Sequence, residues 1–208
     1  MTAALDRDAL LDAFDRIGYA AIEARTRLQI AVYGGSALML ASNFRFATED
    51  VDIADIGRAW PDWLTKVVAA IAREKEWSED WLNDAVTFHL SPLAQLHRDH
   101  LPFGTFPRQS EAVGLTVFIP TARYLLAMKL KSLRISDFKK GAVDMADTAH
   151  LLHVIGITEV EQAIAVLDEF FPRSAADADK QRFVLKRLLS QDTPIDAPKY
   201  PGRSDEEN

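Results

Sequence analysis

Two short groups of residues in the first third of the chain carry side chains that could do chemistry. One is Gly34-Gly35-Ser36, and the other is the acidic pair Asp50 and Asp52. Two glycines let the backbone approach a ligand closely, and a serine that opens a helix lies among N–H groups that favour phosphate. Two carboxylates can hold a divalent metal ion. The two groups together predict a site for a metal and a triphosphate.

A strand, a tight turn and a short helix must position these groups. The pattern predicts a strand over Gln29–Tyr33, directly before the glycine turn and the helix that follows it. Residues two apart on a strand share a face, so Asp50 and Asp52 are predicted to point together. Val51 and Ile53 then face the core. The sequence thus favours a phosphate-sized gap at one end of the segment and a metal-binding pair at the other.

The order and spacing of these residues resemble the nucleotidyltransferase superfamily, on the match of Gly35, Ser36, Asp50 and Asp52. The resemblance implies an α/β (α+β) fold, in which a mixed sheet is flanked by helices and followed by a helical C-terminal region. It also implies a transferase that uses Mg²⁺ or Mn²⁺ to move a nucleoside monophosphate from a nucleoside triphosphate to an acceptor hydroxyl. Gly34, Gly35 and Ser36 would bind the nucleotide, and Asp50 and Asp52 would bind metal.

Further residues resemble the AbiEii-like toxin branch, a nucleotidyltransferase of the type IV toxin–antitoxin kind. Arg45 and Thr48 precede the acids, a Met-Lys-Leu helix carries Lys129, and an Asp-x-x-Asp helix carries Asp144. The resemblance implies that Lys129 and Asp144 complete the catalytic site, with Asp147 as the second choice for Asp144. Arg45 and Thr48 are nucleotide-binding candidates on the same ground.

The same resemblance implies partners. They are a nucleoside triphosphate, an RNA acceptor for which transfer-RNA 3′ ends are the analogy, and a cognate antitoxin protein. A protein hydroxyl or a small molecule is the alternative acceptor. No membrane partner is expected.

One departure from the superfamily concerns a third carboxylate, which usually stands on a later strand. The predicted strand Val113–Ile119 contains no acid, and Asp84 and Glu111 are weak substitutes at strand edges. Either Asp144 supplies the missing oxygen or metal binding is reduced. The second case would make the chain a catalytically weak nucleotidyltransferase-fold module for binding or regulation.

Composition narrows the class of protein. The chain has 208 residues, 48% of them hydrophobic, which is enough for a sizeable core. It has no apolar run long enough for a membrane span, and its N-terminus has acids where a signal peptide would have a basic region, so a cytoplasmic protein is expected. The absence of cysteine excludes disulfides, thiolate metal sites and a cysteine nucleophile. The net charge of −7 disfavours indiscriminate nucleic-acid binding. Residues 123–140 are nevertheless basic and could face a triphosphate or an RNA end.

Periodicity predicts three regions along the chain. They are an α/β core over residues 1–122, a helical region over 123–190 that completes the site, and a disordered tail over 191–208. Within them we expect a first helix ending near Arg27, a helix after Pro61, a strand over Ala85–Leu90, and a surface loop over His97–Glu111. Thr121 is predicted to cap a helix that runs to about Arg134, and Thr158 with Glu161 to form a capping box.

Several of these residues also have a structural interpretation. Arg45 could simply pair with Glu49, Thr48 could end a turn, and Asp144 could cap a helix. Lys129 and Lys131 cannot share one helical face, so at most one should enter a cleft while the other is solvated. The histidines His97, His100, His150 and His153 are expected in a polar loop and on a helix surface, and the tryptophans Trp60, Trp63, Trp77 and Trp81 in the core or at its rim.

Overall fold

The computed structural model describes residues 5–42, 44–48, 50–55, 60–134, 138–190 and 200–202. The chain divides into two compact units. The first unit comprises Met1–Phe88 and His100–Ile119, and the second comprises His89–Asp99 and Pro120–Asn208.

The first unit is built on a five-stranded mixed sheet. Its strands are β2 (Leu28–Val32), β4 (Val51–Asp55), β5 (Leu82–Asn83), β6 (His100–Phe106) and β7 (Leu115–Pro120), in the order β5-β4-β2-β7-β6. β2 is antiparallel to β4 and parallel to β7, and β4 is parallel to β5. Two short strands, β1 (Leu5–Asp6) and β3 (Ala47–Thr48), form a separate antiparallel pair.

In the described residues of the first unit, three α-helices accompany this sheet: α1 (Arg7–Glu23), α2 (Gly34–Ser42) and α3 (Asp62–Lys75). The Asp6 side chain caps α1 by accepting the N–H of Ala9 at 2.8 Å. The apolar face of α1 packs inward through Phe14, whose ring meets that of Phe106 edge-on at 5.3 Å between centroids. Trp81 is buried and donates its ring N–H to the carbonyl of Val68 at 3.1 Å, which ties the residues before β5 to α3.

The second unit is helical in the part of the chain that the structure describes. Its helices are α4 (Leu96–Asp99), α5 (Ala122–Ser132), α6 (Phe138–Ile155), α7 (Val160–Phe170), α8 (Pro172–Ala176) and α9 (Asp179–Leu189). Thr121 caps α5 through its hydroxyl, which accepts the N–H of Tyr124 at 3.3 Å. The ring of Tyr124 packs on that of Phe170 at 4.8 Å, which joins α5 to α7.

The predicted fold class is confirmed, because a mixed sheet is flanked by helices and followed by a helical region. The strand before the glycines, the helix after Pro61 and the helix capped by Thr121 all form close to their predicted bounds. Trp77 and Trp81 lie in the core, as expected. The first helix ends earlier than predicted, at Glu23, because Arg25 adopts a left-handed conformation (φ 54°) that stops it.

The predicted strand over Ala85–Leu90 is wrong. The strand in this region, β5, ends at Asn83, and a 3-10 helix occupies Ala85–His89. The Asn83 side-chain oxygen accepts the N–H of Ala85 at 3.1 Å, which closes a turn as soon as the strand ends. Asparagine favours such turns because its short side chain can replace a backbone acceptor.

The predicted surface loop over His97–Glu111 is also wrong. Its first residues belong to α4, and the next seven form β6. A proline such as Pro102 is typical of loops, but β6 is an edge strand of the sheet, where a residue without an N–H is tolerated. Leu101 and Phe106 are buried and anchor the strand.

Two further expectations concern the C-terminal half. The capping box of α7 is formed by Glu159 and Gln162, one residue later than predicted, because the Gln162 side chain accepts the N–H groups of both Thr158 and Glu159. Most of the predicted disordered tail lies outside the described residues. Tyr200 is described, and its hydroxyl donates to the carbonyl of Pro120 at 2.7 Å.

Among the described residues, no single helix is long and apolar enough to cross a membrane. The segments Gly141–Ile155 and Val160–Phe170, which meet at 97°, reach that length and composition only as a bent pair.

Candidate functional site

The glycine turn joins β2 to α2 in the first unit. The N–H of Tyr33 donates to the carbonyl of Asp52 at 2.9 Å, so the end of β2 is held against β4. Gly34 then adopts φ +64°, a conformation that side-chain-bearing residues rarely take, and α2 begins at this residue. The first turn of α2 therefore starts directly beside the acidic strand.

Two charged side chains lie against this first turn. A Cβ atom built on Gly34 would lie 3.0 Å from Asp52 Oδ2, and one built on Gly35 would overlap the guanidinium of Arg45. Glycine at both positions is what allows a carboxylate and a guanidinium to approach the helix start. The N–H groups of a helix's first turn lack intrahelical acceptors and favour anions. Gly34, Gly35, Arg45 and Asp52 thus form one cluster of opposite charges and backbone donors.

Ser36 and Thr48 hold the neighbouring acid in place through its backbone. The Ser36 hydroxyl donates to the carbonyl of Asp50 at 2.8 Å, and the Thr48 hydroxyl donates to the same oxygen at 2.9 Å. Both residues are buried, whereas Asp50 itself is exposed. The Ser36 hydroxyl therefore already donates a hydrogen bond within the protein. The backbone N–H of Ser36 is the group that can contact a phosphate.

The donor set at the acidic strand suits magnesium. Asp50 is exposed and Asp52 half-buried. No group of three or more His, Asp or Glu side chains in the described residues is arranged to hold a metal by itself. Mg²⁺ is usually bound by one or two carboxylates together with substrate phosphates, so two acids beside the N-terminus of a helix fit it.

The candidates for a third carboxylate stand apart from the strand interior. The β4–β5 register pairs Asp52 with Asn83, so an amide residue lies beside the acid on the neighbouring strand. Asp84 is exposed and follows that strand, and Glu111 is exposed in the turn before β7. The Asn83 side chain bonds within its own turn, to Ala85.

Sequence reasoning missed a buried polar pair that supports the glycine turn. The Tyr33 hydroxyl and His100 Nε2 lie 2.8 Å apart, with the two rings edge-on. His100 was expected in a polar loop, but it is buried at the start of β6. The two residues are 67 positions apart in the sequence, which leaves no periodic signal from which the pair could have been predicted.

Lys129 and Asp144 belong to the second unit, where they contact each other. Lys129 Nζ lies 3.3 Å from Asp144 Oδ1 and 2.6 Å from Asp147 Oδ2. All three residues are buried between α5 and α6. The proposed capping role of Asp144 is wrong, because α6 begins six residues earlier, at Phe138.

Arg134 is a partner of this cluster that the sequence did not identify. Its Nε and Nη2 lie 2.8 Å and 3.0 Å from the two carboxylate oxygens of Asp144. Burial raises the pKa of the Asp144 carboxyl, but the Arg134 hydrogen bonds and the charge of Lys129 outweigh it, so that pKa lies below its usual value. Both oxygens of Asp144 therefore accept from cations within the second unit.

Two other expectations for this unit are corrected. Lys131 is half-buried rather than solvated, since it donates to the carbonyl of His89 at 3.0 Å and lies 4.3 Å from the centroid of the Phe171 ring. His150 is fully buried, not on a helix surface, and that burial lowers its pKa. Lys129 and Lys131 do occupy different faces of α5, as their spacing requires.

The predicted site residues thus fall into two groups. Those of the first unit come together around the start of α2: Gly34, Gly35, Ser36, Arg45, Thr48, Asp50 and Asp52. Those of the second unit, Lys129 and Asp144, come together with Asp147 and Arg134. The catalytic and nucleotide-binding roles assigned to both groups remain predictions.

No protein-family model matches the chain, and no curated protein matches it either. Among solved structures, the chain is similar to an antigenic nucleotidyltransferase-like protein from Paracoccidioides brasiliensis, at 14% sequence identity and a TM-score of 0.45. That likeness covers 88% of this chain and 95% of the other.

Proposed function

We propose that the protein is a Mg²⁺-dependent nucleotidyltransferase that moves a nucleoside monophosphate from a nucleoside triphosphate to an acceptor hydroxyl. One observation carries the proposal: the Asp52 carboxylate and the Arg45 guanidinium both lie against the glycine turn that opens α2. A helix start attracts phosphate, a guanidinium neutralises it, and an adjacent carboxylate can hold a metal that also contacts it.

Six candidate residues of the first unit take three roles in this proposal. The backbone N–H groups of Gly34, Gly35 and Ser36 would bind the β- and γ-phosphates, and Arg45 would offset their charge. Asp50 and Asp52 would hold Mg²⁺ or Mn²⁺. Such a metal, when bound, polarises phosphoryl oxygens and stabilises charge in the transition state.

The atoms of the transfer balance without a further reactant. The acceptor oxygen bonds to the α-phosphorus while the bond from that phosphorus to the pyrophosphate oxygen breaks. The hydroxyl proton is released to solvent, and pyrophosphate leaves. The residues of the chain act by placing the triphosphate and the acceptor in line, which is the main protein contribution to phosphoryl transfer.

Lys129 and Asp144 enter the proposal by resemblance. Lys129 would offset triphosphate charge, and Asp144 would orient metal or acceptor. Their mutual contact, and that of Asp144 with Arg134, means that each already has an opposite charge beside it. We therefore assign metal binding to Asp50 and Asp52 alone.

The toxin-like role, the RNA acceptor and the cognate antitoxin are the finer parts of the proposal and follow from the resemblance alone. A labelled-nucleotide assay separates the acceptors. Each of the four labelled ribonucleoside triphosphates is incubated with the protein and Mg²⁺, with or without total RNA. Label that enters RNA supports a transfer-RNA-like acceptor, whereas label on the protein alone points to a protein hydroxyl.

Asp52→Asn tests the mechanism. Asparagine keeps the shape of the side chain but removes the charge that holds the metal, so transfer should fall on the order of a hundredfold or more. The control is Asp80→Asn, which removes an exposed acid in the turn before β5 that has no role in the candidate site. Melting curves on both variants confirm that they are folded. Undiminished transfer by folded Asp52→Asn would refute the proposed role.

Ligand binding without turnover is measured separately. A nucleoside triphosphate with Mg²⁺ should raise the melting temperature more than either component alone, because ligands that bind only the folded state stabilise it by mass action. A shift in the wild type without any transfer would favour the alternative of a binding or regulatory module. If none of the four nucleotides with Mg²⁺ shifts the melting temperature, the proposed nucleotide site is refuted.

A further inference from the structure

The second unit contains a pocket that plays no part in the proposed transfer. Its volume is about 550 Å³, within the range of about 300–1,000 Å³ that is typical of small-molecule sites. Three segments form it: the turn before α4, the last turn of α5, and the junction between α7 and α8. Its lining includes Pro92, Leu93, Lys131, Phe170, Phe171 and Arg173.

Hydrogen bonds fix the walls of this pocket. Ser91 donates its N–H to the Tyr124 hydroxyl at 3.0 Å and its own hydroxyl proton to the Phe170 carbonyl at 2.6 Å. The N–H of Leu93 donates to the Ser91 hydroxyl at 3.0 Å. Ser91 thereby joins the turn that bears Leu93 to both α5 and α7. The pocket is preformed, which lowers the entropic cost of binding.

The pocket combines an apolar floor with positive charge. Phe170 and Phe171 are buried, and Leu93 is 48% exposed although it is a leucine. Lys131 lies over the face of the Phe171 ring, and Arg173 is exposed. None of the described residues that line the pocket is acidic. An apolar site beside two cationic side chains favours a ligand that carries both an apolar body and an anionic group.

We propose that this pocket binds a small organic anion with a flat apolar body, of the aryl carboxylate or aryl sulfonate kind. Phe171 and Leu93 contact the flat body, and Lys131 and Arg173 attract the anionic group. A nucleoside triphosphate fits the site poorly, because its several phosphate charges need many polar donors and the lining is largely apolar. The proposal stands whether or not the first unit transfers nucleotides.

The probe for this site is 8-anilinonaphthalene-1-sulfonate, whose fluorescence rises when it enters an apolar pocket. The full chain is titrated with the probe, and the bound probe is then displaced with 2-naphthoate or with its neutral isostere 2-naphthamide. We expect naphthoate to displace the probe at a concentration at least tenfold lower than naphthamide requires. Equal potency of the two competitors would overturn the proposed role of the cations.

Variants test whether the probe binds in this pocket. Lys131→Met should weaken naphthoate binding about tenfold, Lys131→Arg should retain most of it, and Arg187→Met, at an exposed cation on α9, should leave it unchanged. Leu93→Trp, at a largely exposed position, should fill the pocket and abolish displaceable fluorescence while the melting curve stays intact. Probe binding that survives Leu93→Trp would mean that it lies elsewhere, for instance at the exposed Phe183, and would overturn the proposal.

Discussion

Lys129 Nζ lies 2.6 Å from Asp147 Oδ2, and both side chains are almost completely removed from solvent. An ion pair in such a place is costly to disrupt from one side, because the remaining charge is left buried without its partner. The pair links α5 to α6. Asp144 belongs to the same cluster, because it contacts both Lys129 and Arg134. Lys129 therefore has a structural role that is independent of any role toward a nucleotide.

The first prediction follows from this contact. Lys129→Met should lower the free energy of unfolding by about 3–5 kcal/mol, the usual cost of breaking a buried pair from one side. Lys131→Met should cost at most about 1 kcal/mol, because that ammonium keeps partial exposure and its contacts are weaker. Urea denaturation measures both. Similar losses for the two variants would contradict the structural role of Lys129.

The second prediction concerns the glycine turn and has a matched control within the chain. Gly34 and Gly156 both have positive φ, but only Gly34 has a side chain, that of Asp52, close to where a Cβ would lie. Alanine at either position should cost about 1–2 kcal/mol of stability for the left-handed backbone. Only Gly34→Ala should also weaken the melting-temperature shift produced by a nucleoside triphosphate with Mg²⁺. Equal shifts in the two variants would separate Gly34 from nucleotide binding.

The third prediction uses the two hydroxyls that share the Asp50 carbonyl. Ser36→Ala or Thr48→Val alone should each cost about 1 kcal/mol, because the carbonyl keeps one donor. The double variant should cost more than the sum, since the second removal deprives that carbonyl of both hydroxyls. Ser36→Ala combined with Ser132→Ala, whose exposed hydroxyl bonds within its own helix, should be additive. Additivity in both double variants would contradict the shared contact.

The fourth prediction concerns pH. Burial lowers the pKa of His150 in the folded protein, so between that value and the unfolded value of about 6.5 the unfolded chain binds more protons. Stability should be unaffected by this group above about pH 6.5 and should fall below it, by at most roughly 1.4 kcal/mol per pH unit. His150→Gln should flatten the profile between pH 5 and pH 6.5, pH values chosen to bracket this transition. His97→Gln, at an exposed position, should leave it unchanged.

The Asp144 carboxyl affects stability over a lower pH range than His150 does. Its pKa lies below its usual value in the folded protein, so its contribution is present above the unfolded value of about 3.9 and is lost as the pH falls through the folded value. The transition assigned to His150 should therefore persist in Asp144→Asn, whereas the loss of stability below about pH 4 should become shallower.

The sequence by itself determined the local geometry of the candidate site. Gly34 and Gly35 permit the turn, the alternation around Asp52 predicts a strand, and Thr121 begins a helix, because each of these depends on neighbours within a few residues. The mixed sheet with its helical continuation also follows from that local pattern together with the resemblance. What the acids and Lys129 do to a substrate remains a prediction from those motifs.

Only the tertiary structure decided which distant side chains meet. It placed His100 against Tyr33, and Arg134 against Asp144, and it made an edge strand of a proline-containing segment that reads as a loop. The pocket beside Phe171 likewise requires three separate segments to come together. Periodicity reports which face of an element is apolar, but not which element covers it. Partners that are brought together by packing alone therefore leave no signal in the spacing of residues along the chain.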